Sequence, residues 1–76
     1  MEKTCEVLFT WDDEAGVWIA TSEDIHGLIL EHESFDVLIN RVRLAIPELL
    51  AFEKPVATGI SLDFLVSRKE RLALNG

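Results

Sequence analysis

The chain has 76 residues, 49% of them apolar, and a formal net charge of −7 at pH 7. That length makes one domain, which buries only about 60–65% of its unfolded surface, and the apolar surplus points to a homodimer. The acidic balance argues against nucleic acid, whose phosphates need basic patches, and permits a basic partner instead.

Lys3 to Trp11 reads as the first strand. Cys5, Val7, Phe9 and Trp11 share one face, and Thr4, Glu6, Leu8 and Thr10 the other, with Leu8 breaking the polar alternation. Cys5 is the single cysteine, so no intrachain disulfide forms. Its place on the apolar face marks a buried structural thiol, and the count fits a reducing, cytoplasmic setting. The charges of Met1 to Glu6 stand where a signal peptide needs an apolar core. No run approaches about 18 apolar residues, so no membrane span is expected.

Asp12 to Gly16 is an acidic turn closed by glycine. Val17 to Ser22 is the second strand, rich in β-branched and aromatic residues. Both its faces are apolar, Val17 and Ile19 on one, Trp18 and Ala20 on the other, and the pairing register decides which joins the core. The opposite large group would face away from the helix side, where an oligomer contact would cover it. Glu23 to Gly27 is a second acidic turn. Leu28 to about Glu33 is a short third strand whose charges suit a sheet edge.

Ser34 is a good helix N-cap, and Asp36 in the first turn favours the helix dipole. Phe35, Leu38, Ile39, Val42, Ala45, Ile46, Leu49 and Leu50 keep helical spacing, with Asn40, Arg41 and Arg43 on the wet side. Pro47 is expected to kink or break the helix and open a last turn through Phe52, before Lys54-Pro55 ends it. Ala57 to about Ser67 is the fourth strand. The tail 67–76, basic at its start, reads as a short helix or a frayed end.

The order is therefore β-β-β-α-β, an α+β fold. A meander followed by a right-handed helix crossover brings strand four beside strand one, giving a mixed sheet of order 3-2-1-4 with the helix on one face.

The segment from Phe9 to Leu28, F-T-W-D-D-E-A-G-V-W-I-A-T-S-E-D-I-H-G-L, resembles the opening of HicB-like antitoxin domains. Trp11, Asp12, Glu14 and Trp18 fit the W-D-x-E-x-x-x-W pattern of a short stand-alone branch, and Ile46 to Leu50 fit its I-P-E-L-L helix end. The resemblance covers about residues 4–66. It implies a partial RNase H-like fold and inhibition of a small basic mRNA interferase of HicA type. The partner-facing residues would be Asp12, Asp13, Glu14, Glu23, Asp24, Glu31 and Glu33. From Asp12 through Glu33 these seven acids stand without a lysine or arginine among them, a field that steers and holds a basic surface. Family members commonly have a Pro-Asp-Leu-Pro-Gly turn where this chain has Glu23 to Gly27, so the partner-facing loop differs. Only the tail follows strand four, where full-length HicB antitoxins carry an operator-binding domain, so DNA binding is not expected.

No catalytic constellation is expected. RNase H-type nucleases gather several carboxylates on metal ions, whereas Asp12, Asp13 and Glu14 share a turn and Glu48 and Asp63 lie far off in sequence. His26 reads as a solvated turn residue and His32 as an edge-strand residue, at no recognised metal spacing. No nucleophile motif or phosphate loop is present, and no cofactor or metal is expected. Trp11 and Trp18 read as cross-strand neighbours, used in core or oligomer packing or as a partner hot spot. Two other readings stand beside the antitoxin: an oligomeric interaction module with no toxin, and a degenerate RNase H-like enzyme.

Overall fold

The computed structural model describes residues 3–51 and 59–75. Within them β1 spans Lys3–Asp12, β2 Val17–Thr21, β3 Ile29–His32, α1 Phe35–Leu50 and β4 Ile60–Ser67. The strands form one sheet of order β3-β2-β1-β4. β1 pairs antiparallel with β2 and parallel with β4, and β2 pairs antiparallel with β3. The chain is thus an α+β domain built on a mixed sheet.

The register settles which face each apolar residue takes. Phe9 lies opposite Ala20, and Trp11 opposite Trp18. Directly opposed residues share a face. Trp11, Trp18 and Ala20 therefore join Cys5, Val7 and Phe9 on the helix side. Val17, Ile19 and Thr21 take the uncovered side with Leu8. On β4, Leu62, Phe64 and Val66 are in register with Cys5, Val7 and Phe9, while Leu65 is in register with Leu8. The apolar groups that face away from the helix side are therefore Leu8, Val17, Ile19, Ile29 and Leu65, and neither tryptophan is among them.

The helix starts where local chemistry starts it. Ser34 has extended backbone, and its Oγ accepts the Val37 N–H at 3.3 Å. Its carbonyl accepts the Leu38 N–H at 3.0 Å, closing the first turn. α1 lies over β2 and β3. Leu38, Val42 and Ile46 are buried, Phe35, Ile39, Ala45, Leu49 and Leu50 pack half-buried around them, and Leu44 is exposed. Each full burial of this kind stabilises by about 1.5–3 kcal/mol. The core is completed by Cys5, Val7, Phe9, Ala20, Ile25 and Leu28. Cys5 is wholly buried, which suits a structural thiol.

Pro47 does not break the helix, which continues to Leu50. Proline forfeits one N–H and crowds the carbonyl four residues earlier. Here that carbonyl belongs to Arg43, and both residues are exposed, so water can take the lost bond. The Pro47 carbonyl still accepts the Ala51 N–H at 3.1 Å. The expected last turn at Phe52, the helix end at Lys54-Pro55 and the strand start at Ala57 lie outside the described residues.

The tail is not a helix. Residues 68–75 have no regular secondary structure and are exposed. The molecule measures 57 × 21 × 18 Å, with a radius of gyration of 15.1 Å. A compact chain of this length has roughly 11 Å. The ten residues of β1 span about 33 Å, so the long axis includes a tail that runs out from the sheet.

Candidate functional site

The hairpin turn between β1 and β2 is held by its first aspartate. Asp12 Oδ1 accepts the N–H of Glu14 at 3.1 Å and of Ala15 at 3.2 Å, and its carbonyl accepts the Gly16 N–H at 2.8 Å. Gly16 closes the turn with φ +69°, a conformation that costs glycine little. Asp13 Oδ1 accepts the Trp11 indole N–H at 3.2 Å. Asp12 is thus a turn-forming group, while Asp13 and Glu14 are exposed.

The second acidic turn is also a structural device. β1 extends past the end of β2, so the Glu6 backbone has no strand partner on that side. Ser22 Oγ donates to the Glu6 carbonyl at 2.5 Å, and Asp24 Oδ2 accepts the Glu6 N–H at 2.7 Å. The same Ser22 hydroxyl accepts the N–H of Asp24 and of Ile25, both at 3.1 Å. Two side chains thereby replace a missing strand. The fold-back drives Ile25 into the core, fully buried. Gly27 then turns the chain at φ +86°. Sequence reasoning saw only an acidic turn here; the S-x-D spacing was the readable sign of its hydroxyl-centred hydrogen bonds.

These arrangements separate the seven acids. Asp12, Asp13 and Glu14 occupy the hairpin end. Glu31 is in register with Ile19, one step from the turn, and Glu33 follows β3 on the same side. Glu23 and Asp24 lie at the opposite end, beside Glu6. Glu6 and Asp12 are about 20 Å apart along an extended strand. All seven except the half-buried Asp12 are exposed.

The uncovered sheet face carries a second feature. Leu65, Leu8, Thr21 and Ile29 are mutual register partners, so they form one row across all four strands. Leu8 is 41% exposed, Leu65 46% and Ile29 73%. The next row pairs Glu6 with Asp63. Leu8 and Leu65 floor a shallow open groove whose walls are Glu6, Thr21, Ser22, Glu23 and Asp24.

On the helix side Trp11 and Trp18 pack edge to face at 5.3 Å, and Trp18 meets Phe35 at 5.0 Å. Phe35 meets Phe9 at 5.1 Å, and Phe9 meets Phe64 at 5.4 Å. The Arg68 guanidinium sits 4.6 Å from the Trp11 ring centroid and 5.7 Å from that of Trp18, within cation–π range. Both tryptophans are half-buried packing groups of this seam. The Arg68 stack went unread, although Arg68 continues the alternation of Leu62, Phe64 and Val66 by one step.

His26 is exposed in its turn. His32 Nδ1 accepts the Ser34 N–H at 2.8 Å, which fixes the ring beside the helix start. Among the described residues no three of His, Cys, Asp and Glu gather to hold a metal ion. Asp63 is on the open face and Glu48 on the helix, so the sheet stands between them. No helix is long and apolar enough among the described residues to cross a membrane.

Residues 4–75 match the family model of a domain of unknown function, DUF1902. No curated protein matches the chain. Among solved structures, the hypothetical protein TTHA1013 from the extremely thermophilic bacterium Thermus thermophilus is similar, at 33% identity and a TM-score of 0.68. The match covers 95% of this chain and 100% of the other. With nearly its whole length inside the family model, the chain belongs to the DUF1902 family.

Proposed function

We propose that this domain acts by binding a small basic protein, in the manner of a stand-alone HicB-like antitoxin that neutralises an mRNA interferase of HicA type. The observation that carries the reading is charge. Six of the seven acids between Asp12 and Glu33 are exposed, and no cation interrupts them in sequence. The sequence resemblance described above supplies the partner class, and its partial RNase H-like fold belongs to the same proposal. The contact surface is the hairpin end, where Asp13, Glu14, Glu31 and Glu33 offer carboxylates and Asp12 holds the turn. A field of this kind raises association rates and makes binding salt-sensitive. The domain acts by occupancy and performs no chemistry of its own.

The test is capture of the tagged protein with its partners from its native host, eluted with rising salt and read by mass spectrometry. A small basic protein released by salt is the expected result. Changing Glu14 and Glu31 to lysine should weaken its binding at least tenfold. Recovery of this chain alone would overturn the reading.

A further inference from the structure

We propose that two copies of this chain form a reciprocal dimer in which the C-terminal tail of each lies in the groove on the uncovered sheet face of the other. Three observations on the molecule meet here.

The first is where the surplus apolar surface sits. Eight large apolar side chains are exposed among the described residues, and five of them lie on two surfaces. Leu8, Ile29 and Leu65 form the row across the open face, and Leu72 and Leu74 lie in the tail, 80% and 85% exposed. Leu72 and Leu74 are two residues apart, so an extended tail laid in a groove would offer both on one edge, matching a floor made of Leu8 and Leu65.

The second is charge. Arg68, Lys69 and Arg71 are three of the chain's seven cations, packed into four positions of a −7 protein. The groove is walled by Glu6, Glu23 and Asp24, with Asp63 in the adjoining row. Arg68 is taken up by the tryptophans of its own chain, so Lys69 and Arg71, directly preceding an apolar pair, are the cations that match an acidic wall above an apolar floor, and complementarity of this kind fixes register as well as attraction.

The third is direction. β4 runs parallel to β1 and ends beside Thr10. The tail therefore leaves at the hairpin end, whereas the groove lies at the Glu6 end of the same sheet. The tail thus starts at the end of the sheet away from its own groove. A second copy placed antiparallel across a two-fold axis on the open face brings its Glu6 end to the tail's exit. One operation then fills both grooves, as an isologous contact requires. The groove lies away from the turn that carries Asp13 and Glu14, but Glu31 stands on the same open face as Leu8 and Ile29, so the two proposed associations share part of one surface and are told apart by the tail variants.

The experiment combines mass in solution with a cross-link. Sedimentation equilibrium of the full chain should give a dimer whose dissociation constant rises with salt. Leu72→Asp with Leu74→Asp should raise that constant at least tenfold, as should Leu8→Asp. Removal of residues 69–76, which keeps Arg68 on the tryptophans, should leave monomer. Circular dichroism checks that each variant is folded, and the tail variants report even if Leu8→Asp fails to fold. Mixing a Leu65→Cys chain with a Leu72→Cys chain under mild oxidation should give a mixed disulfide dimer, since Cys5 is buried and does not compete. A monomeric wild-type chain, or a dimer indifferent to tail removal, would overturn the proposal. So would a Leu65→Cys/Leu72→Cys double variant that closes within one chain, because the tail would then occupy its own groove.

Discussion

Ser22 carries more of the fold than its size suggests. Its hydroxyl makes three hydrogen bonds that join the end of β2, the acidic loop and the unpaired flank of β1. Ser22→Ala leaves the Glu6 carbonyl and two loop N–H groups without that partner. A loss of about 1–3 kcal/mol is expected in urea unfolding. Glu23→Gln, one residue on and exposed, should stay within about 0.5 kcal/mol. Equal effects would mean the loop is held by burial of Ile25 alone. The hairpin turn allows a similar contrast. Asp12→Ala removes the acceptor for Glu14 and Ala15 and should cost about 1 kcal/mol. Glu14→Lys should leave stability nearly unchanged while weakening binding of a basic partner. The seven acids are therefore not one functional class, because Asp12 and Asp24 are spent on backbone groups of their own chain.

At the scale of elements, α1 shows how a pattern becomes a packing face. Its period-3.6 apolar residues are those that the structure buries or half-buries, while Leu44 stays 73% exposed. Leu38→Ala should cost about 2–5 kcal/mol, since it empties a fully buried site. Leu44→Ala should cost less than about 0.5 kcal/mol. Thermal or urea unfolding of the pair checks the assignment, and similar losses would mean that Leu44 is covered in an assembly. Gly27 offers a backbone test. A Cβ there would meet Leu49 Cδ2 at 3.5 Å, an ordinary contact. The cost of Gly27→Ala should therefore be the left-handed backbone itself, about 1–2 kcal/mol. A much larger loss would mean that space is tighter than this contact indicates.

For the whole molecule, the helix covers the β2 and β3 side and leaves one sheet face open. A sheet with one naked face is tolerable when that face is polar, and here three of the four residues in the row across it, Leu65, Leu8 and Ile29, are apolar. That mismatch, with the apolar tail, is what a second copy would cover. Asp12, at the hairpin turn, lies about 20 Å from Glu6 along β1, which sets that turn apart from the groove. Salt should weaken both associations, but only the dimer should respond to Leu72 and Leu74. Measuring the two constants in the same variants separates them.

The sequence by itself determined the element order, the sheet order and most of the core. Each rests on a local or periodic rule: alternation in β1, helical spacing from Phe35 to Leu50, an N-cap at Ser34, and glycines at the two positive-φ turns. Membership of an α+β class followed from that order. Only the tertiary structure decided what depends on long-range registration. Pairing Trp11 with Trp18 fixed which face of β2 was buried, a one-residue matter that apolar residues on both faces left undetermined. The overhang of β1 turned Ser22 and Asp24 into strand substitutes and made Ile25 a core residue, although its neighbours are polar. The exposure of Arg43 and Pro47 let the helix run unbroken to Leu50, past a proline expected to kink or break it. The separation of the acids into two ends, and the exit of the tail at the end of the sheet away from its own groove, exist only in three dimensions.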